Sequence, residues 1–432
     1  MYPRNCLEFG ETPLMNKKTR KETDPSRVTF EGLEQFARAE IQKRLQELLE
    51  EELVEFLGRD RSERRAKIDE PRVYRNGHAK PRKLTMSVGT VELKRPRLRG
   101  QAELEKRFES RLLPLFVKRT QEVQDVIPEL YLHGLAEADF DMALRGLLGD
   151  DAPLSASTVA RMKEKWNTEL EEWKQRPISD DIVYLWVDGV YVKAGLEKTK
   201  AALLVVLGAK SDGTKEILSV VAGHRESTES WAAVLRDLKA RGMNCPRLVI
   251  GDGHLGIWAG LRNVFPDAEE QRCWNHKILN VLDKVPKKQQ NSARLLLRQI
   301  PFAETKEDAN TLRNKFTVWC EKKQLDDAAR ILANDWDRMV AFYSFPKGHW
   351  QHIRTSNPIE SPFAALRLRT DAAKRYKKVE NASAVIWKML MVVQKKFRRL
   401  KAPELLKDVL AGKIYVNGLE KKEERKRSEE AA

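Results

Sequence analysis

Apolar residues recur three and four apart from Phe30 to about Arg65, through Leu33, Phe36, Ile41, Leu45, Leu49, Leu53 and Phe56. That spacing lines one face of a helix, in a helical hairpin, a dimer helix or a plainly packed one. The segment before it, 1–26, is polar and carries Pro3, Pro13 and Pro25, so it reads as a disordered basic arm. Beyond it the period changes. Tyr74-Arg-Asn-Gly77 is a turn signal, and Leu84 to Lys94 alternates like a short hairpin. Residues 27–110 are thus expected to form a helical and small basic β region. From 111 to 178 the helical period returns, broken at Gly134, Gly149 and Asp150-Asp-Ala-Pro-Leu154. Ser155 or Ser157 then caps a helix through Trp166. This order fits a helix-turn-helix-like DNA-binding domain, although any three-helix bundle gives the same pattern. Strand-like runs follow at 182–193, 201–210 and 215–222, then a helix at about Glu229–Arg241 and a strand at Arg247–Ile250. Residues 277–345 read as helical, 346–402 as basic helices, and 403–432 as a charged tail.

Charge sharpens this picture. The 432 residues carry a formal charge of +16 at a sequence pI near 9.5, with 33% charged and 41% hydrophobic residues. A surface so basic is the electrostatic footprint of a protein that meets a polyanion. A merely solubilising charge is the bland alternative, but the positive residues cluster. Arg72, Arg75, Lys80, Arg82 and Lys83 gather on the small β region, and Lys395, Lys396, Arg398, Arg399 and Lys401 near the end of the basic helices. No apolar run reaches the ~18 residues of a membrane span, and the N-terminus lacks the h-region of a secretory signal. Cys6, Cys245, Cys273 and Cys320 show no disulfide-framework spacing, so a reducing, cytoplasmic setting is expected.

Three acids stand where acids are costly. Asp188 interrupts the apolar run Val183 to Val192, Asp252 ends Leu248-Val-Ile-Gly-Asp, and Glu360 opens the helix-like Ser356-Asn-Pro-Ile-Glu-Ser. A carboxylate in such a run is unfavourable unless it is paired or holds a cation. Each has an ordinary reading. Asp188-Gly189 and Asp252-Gly253 are hairpin dipeptides. Glu360 stands at the third helical position of a capping box, with Asn357 as N-cap and Pro358 first in the helix. The functional reading is phosphodiester chemistry, an in-line displacement supported by two Mg²⁺ about 4 Å apart. Mg²⁺ takes carboxylate oxygens, one or two per ion, so three acids from separate elements would serve.

Three adjacent strands, a helix and a fourth strand is the order of an α/β RNase H-like catalytic core. The expected fold class is that core, as 179–276 and 346–402, with an all-helical insertion at 277–345 and a mainly helical N-terminal DNA-binding region before it. The chain also resembles the mutator-type transposases of bacterial insertion sequences, over about residues 30–400. The resemblance is carried by Val187-Asp-Gly-Val-Tyr-Val-Lys193, Gly251-Asp-Gly-His-Leu-Gly256, Gln271-Arg-Cys-Trp-Asn-His-Lys277 and Arg354-Thr-Ser-Asn-Pro-Ile-Glu-Ser361, in that order.

That resemblance implies a DDE enzyme in which Asp188, Asp252 and Glu360 are the catalytic, metal-binding acids, with two Mg²⁺ and Mn²⁺ able to substitute. The acids are 64 and 108 residues apart, and the second interval has room for the insertion. It further implies binding of terminal inverted repeats and target DNA, strand cleavage and transfer, and action on bacterial DNA as a homodimer or larger synaptic assembly. Arg367, seven residues after Glu360, lies two helical turns on, roughly 10 Å along the same face. There it would hold DNA near the reacting phosphate, or be a solvated arginine. Arg369, Lys374 and Arg375 extend that positive face, and Arg161 and Lys165 would serve the helix-turn-helix-like reader. Cys273 and His276 match a Cys/His signature of the family. Without a second paired set a zinc site is disfavoured, and a packing or site-shaping role is expected. His224 and the stretch after it also match, with Trp231 expected in the core and Glu226 and Glu229 as spare acids. Two other functions fit the same residues: a silent DNA-binding descendant of a transposase, and an RNase H-like nuclease or resolvase.

Overall fold

The computed structural model describes residues 29–63, 73–101, 107–135, 139–148, 156–194, 201–223, 227–253, 255–373 and 375–421. The arm at 1–26 lies outside them. The chain forms two compact units, Met1–Val126 with Asp141–Leu154, and Ile127–Phe140 with Ser155–Ala432.

In the first unit the long apolar stripe is a single helix, α1 (Leu33–Leu57), not a hairpin. Gly58 ends it in the left-handed region at φ 62°, a conformation that favours glycine, and donates its N–H to Val54. The basic segment builds β1 (Tyr74–His78), β2 (Arg82–Met86), β3 (Gly89–Leu93) and β4 (Pro96–Arg99). β2 and β3 form the expected hairpin, with Leu84 opposite Val91. Tyr74-Arg-Asn-Gly77 is not a turn: it is strand β1, paired with β4 across an irregularity between Arg75 and His78. Gly77 takes φ +61° within that irregularity. Leu49 packs with Leu84, Val91, Leu93 and Leu113, and the Gln46 side-chain amide both donates to and accepts from the Lys94 backbone at 2.9 Å. The acidic run on α1 is used internally. Glu50 pairs with Arg75 at 3.0 Å and His78 at 2.6 Å, and buried Glu52 accepts from Ser110 Oγ at 2.6 Å. Arg75 is therefore spoken for before any phosphate arrives, contrary to its expected place on an open basic surface.

The next helices are α2 (Gln121–Leu132), α3 (Phe140–Leu148) and α4 (Ala156–Lys174). They match the three expected elements, but they are shared between the two units rather than forming one. α4 belongs to the second unit.

The second unit is organised on β5 (Ile182–Val192), β6 (Ala201–Lys210), β7 (Lys215–Gly223), β8 (Leu248–Gly251) and β9 (Glu269–Arg272), in the order β7-β6-β5-β8-β9. β5 runs antiparallel to β6, β6 to β7, while β5–β8 and β8–β9 are parallel. Between these strands stand α5 (Thr228–Ala240) and α6 (Leu255–Val264). α6 and β9 were not anticipated: they are short and carry no clear period. Trp231 is core as expected, packed with Leu185, Val187, Leu235 and Trp258 under α5 and α6. The opposite face carries Tyr184 and Trp186, whose polar atoms reach His349 Nδ1 at 2.8 Å and the His352 carbonyl at 3.0 Å.

The expected helical stretch at 277–345 is present as α7 (Trp274–Leu282), α8 (Gln290–Gln299), α9 (Lys306–Glu321), α10 (Asp326–Ala333) and α11 (Trp336–Val340), and α12 (Trp350–Ile353) opens the segment after it. Two longer helices follow, α13 (Asn357–Ala373), packed against β5, and α14 (Val379–Gln394), packed against α4 and β7. Glu169 of α4 pairs with Lys388 at 2.5 Å and Trp173 meets Trp387 at 5.8 Å between centroids. The segment after 403 is not a tail, at least to Lys421. It folds as α15 (Glu404–Leu410) and the hairpin β10 (Tyr415–Val416)–β11 (Leu419–Glu420). It docks through Arg247, which donates to the Leu410 carbonyl at 2.7 Å, and through Gly418, which accepts from Lys347 N and donates to the Tyr343 carbonyl, both at 3.1 Å.

Candidate active site

Strand alternation puts Asp188 on the face of Tyr184 and Trp186, away from the α5–α6 core. The hairpin reading of Asp188-Gly189 falls, because β5 continues in register with β6 through Val192. In the parallel β5–β8 pair Trp186 is opposite Ile250. Asp188 and Asp252 each lie two residues beyond that pair, so the sheet carries both to the same end. Asp252 follows β8 directly, and Gly253 behind it takes φ +98°. A Cβ on Gly253 would stand 2.1 Å from Arg272 Nε. Arg272 is fixed there, donating from Nε to the Asp252 carbonyl at 3.3 Å and from Nη1 to Asp335 at 2.7 Å.

Glu360 reaches the same place through a chain of short bonds. Cys273 donates its N–H to the Gly251 carbonyl at 2.7 Å, and Trp274 donates to the Arg354 carbonyl at 3.1 Å. The buried Cys273 Sγ accepts from Ser356 N at 3.3 Å. Ser356 Oγ donates to Glu360 Oε1 in a very short bond. Asn275 Nδ2 binds Asn357 Oδ1 at 2.7 Å. Thus the expected capping box is not the one formed. α13 already begins at Asn357, and the Glu360 backbone N–H bonds back to the Ser356 carbonyl at 3.0 Å. Ser356, not flagged beforehand, is the residue that orients the acid. It sat inside the Arg354–Ser361 motif, so the signal was present without a role.

The acids feel one another. Burial pushes the Asp188 carboxyl up to about 7; the Gly189 N–H opposes that at 2.7 Å, and the charges of Asp252 and Glu360 reinforce it. His276 is raised to about 9, first by its hydrogen bond with Cys273, with the Cys273, Glu360 and Asp252 charges adding to it. Its Nδ1 is 3.7 Å from Glu360 Oε1. The Asp252 and Glu360 charges reach Asp188, and carboxylate oxygens are the donors a hard divalent cation takes, but neither Asp188 nor Asp252 belongs to the cluster of ligand atoms within 4.8 Å of one another at Glu360. That cluster is Cys273 Sγ, His276 Nδ1 and a Glu360 oxygen. The thiol is turned into the Ser356 N–H, however, and no fourth His, Cys or acid joins that group among the described residues.

The sequence profile described as "Transposase, Mutator family" matches residues 14–399. The chain belongs to the mutator family of transposases. It is 43% identical over 297 residues to the transposase for insertion sequence element IS6120 of Mycolicibacterium smegmatis, covering 68% of this chain and 92% of that one. It is 37% identical over 280 residues to the transposase for insertion sequence element IST2 of Acidithiobacillus ferrooxidans, covering 64% and 94%. The Staphylococcus aureus transposase for insertion sequence element IS256 in transposon Tn4001 is 28% identical over 257 residues, covering 59% and 63%.

The remaining expected contacts in this transposase divide. Arg367 is exposed on α13, and Arg375 is exposed just after it; Lys374 lies outside the described residues. Arg369 is not on a DNA-facing surface. It is 2% exposed, its guanidinium lies 3.6 Å from the Tyr131 ring centroid, and it donates to the Leu135 carbonyl at 3.0 Å. Two residues along a helix turn a side chain by about 200°, so Arg367 and Arg369 face opposite ways. Arg161 and Lys165 are exposed on α4, Lys165 only loosely held by Glu169 at 3.8 Å. Of the spare acids, Glu229 pairs with Arg236 at 3.1 Å, and Glu226, like His224, lies outside the described residues. No helix among the described residues is long and apolar enough to cross a membrane.

Proposed function

We propose that this transposase cuts the ends of a bacterial insertion sequence, at terminal inverted repeats, and joins them to target DNA, using an RNase H-like core with Asp188, Asp252 and Glu360 as its acids. This reading is supported by the β5–β8 register, which carries Asp188 and Asp252 to one end of the sheet, by the bonds from Gly251 through Cys273 and Ser356 to Glu360, and by the Asp252 and Glu360 charges acting on Asp188. The strand order β7-β6-β5-β8-β9, with one antiparallel edge and one parallel edge, supports the fold assignment.

In this reading the acids hold two Mg²⁺, or Mn²⁺ in their place. When bound, such ions activate the attacking oxygen and stabilise the leaving one. The chain's own residues do the positioning. Ser356 and Cys273 hold Glu360, Arg272 holds the backbone of Asp252, and the Gly189 N–H holds Asp188. Arg367, two turns along α13, and Lys395, Lys396, Arg398 and Arg399, exposed after α14, take DNA phosphates. Arg161 and Lys165 on α4 take DNA on another element. Assembly of two or more copies on paired ends follows from the need to join them together.

Asp188→Asn, Asp252→Asn and Glu360→Gln each are expected to lower strand cleavage at least a thousandfold while DNA binding survives. The check is a nicking and joining assay with Mg²⁺ and with Mn²⁺, beside a binding titration. Full cleavage by any one variant removes that residue from the site. Cleavage without joined product from pre-cut ends makes the protein a nuclease instead.

A further inference from the structure

A cavity of about 290 Å³ opens where the helical stretch meets the start of α12, lined by Phe302, Lys347, Trp350, Gln351, Arg354 and Lys401 among others. That is at the lower end of small-ligand pockets, ~300 Å³, and is the scale of one ring system rather than of a duplex. Phe302 is 67% exposed, although Ala303 and Trp350 line the cavity with it. The lining also holds three cations and one acid, Glu304. The Arg354 guanidinium lies 3.9 Å from its centroid and is locked there by a 2.9 Å bond to the Pro301 carbonyl. Lys347 and Lys401 are exposed at the rim, Lys347 sharing a long 3.8 Å contact with exposed Glu304. Trp350 forms the buried wall, its Nε1 already bonded to the Phe345 carbonyl at 2.8 Å.

A phenyl ring that rests on one guanidinium, is exposed over the rest of its surface and has two lysines at the rim is a combination that stacks a base and neutralises its flanking phosphates. An apolar protein segment would find the ring but not a use for three cations. The cavity also shares a segment with the acids: Arg354 precedes Ser356 and Glu360, and its carbonyl is tied to Trp274, beside Cys273.

We propose that this cavity receives one unpaired nucleobase of the bound DNA, stacked on Phe302, with Lys347, Arg354 and Lys401 on the adjoining phosphates. The inference rests on the reading that the transposase acts on DNA, but not on the acids. The test therefore uses the full chain without divalent metal. A labelled oligothymidylate and a duplex of equal length are titrated against wild type and Phe302→Ala, with Phe302→Trp as the conservative variant. Phe302→Ala is expected to weaken single-strand binding about tenfold and leave duplex binding within about twofold, and Phe302→Trp to retain both. A strand carrying 5-iodouracil should crosslink to the peptide containing Phe302. Equal losses on both DNAs, no loss on either, or crosslinks confined to other peptides would overturn the proposal. Loss of cleavage in the acid variants with this result intact would leave both readings standing; loss of cleavage in them without this result would sink this one alone.

Discussion

At the scale of single residues, the site depends on small groups that hold acids rather than on the acids alone. Ser356 is fully buried and donates to Glu360 Oε1 while its own N–H is taken by Cys273. A hydrogen bond to a charged group contributes about 1.5–3 kcal/mol. Ser356→Ala is therefore expected to slow strand cleavage at saturating Mg²⁺ by about ten- to a hundredfold. Thermal melting should fall by about a few degrees, while DNA affinity stays near wild type. An unchanged cleavage rate would show that the Glu360 carboxylate is held by something else. The same scale explains why Arg369 was misassigned. Its one-letter identity and its basic neighbours match those of Arg367. Only the turn of the helix separates a guanidinium facing solvent from one stacked on Tyr131.

At the scale of elements, the strands β5 to β7 and the helices α5, α13 and α14 were legible because each is long and patterned, and the four-residue β8 because it is an unbroken apolar run. β1, β4, β9, α15 and the β10–β11 hairpin were not. They span two to seven residues, too few for a period, and owe their form to partners distant in sequence. The C-terminal segment illustrates this. Its charge suggested a tail, yet Leu406, Val409 and Tyr415 are buried. Burying an apolar side chain stabilises by about 1.5–3 kcal/mol, so truncation after residue 402 should cost the second unit on the order of 5 kcal/mol. Chemical denaturation would detect that as a lower midpoint. A midpoint equal to that of the full chain would mean the segment docks without stabilising.

At the scale of the whole molecule, burial and the net positive charge act together on one histidine. His352 is half-buried, its Nε2 accepts from Lys401 N at 3.3 Å, and the Lys215, His349 and Lys401 charges act on it. Burial, then those charges, lower it from 6.5 to about 4. The imidazole is therefore neutral in the fold while the unfolded chain protonates it near 6.5. Its contribution to stability is present above that pH and is lost as pH falls from about 6.5 toward 4. The full shift corresponds to at most about 3 kcal/mol. His352→Gln keeps an acceptor for Lys401 N and should flatten that part of the acid limb, measured as unfolding free energy against pH. An acid limb identical to wild type would place the sensitivity in other groups.

The sequence by itself determined that three acids occupy costly places, that a basic chain of this order meets nucleic acid, and that strands, an inserted helical stretch and a final acid-bearing helix follow one another. Those features are local: period, residue type and spacing are written in consecutive positions. It did not determine how the elements that bear the acids are tied together. That required the parallel register of β5 on β8 and the bonds from Gly251 through Cys273 and Ser356 to Glu360, which join residues about a hundred positions apart. Nor could it distinguish Arg367 from Arg369, Arg75 from an unpaired arginine, or a docked C-terminal hairpin from a tail. Each of these turns on which surface is covered, and only the packed chain decides that.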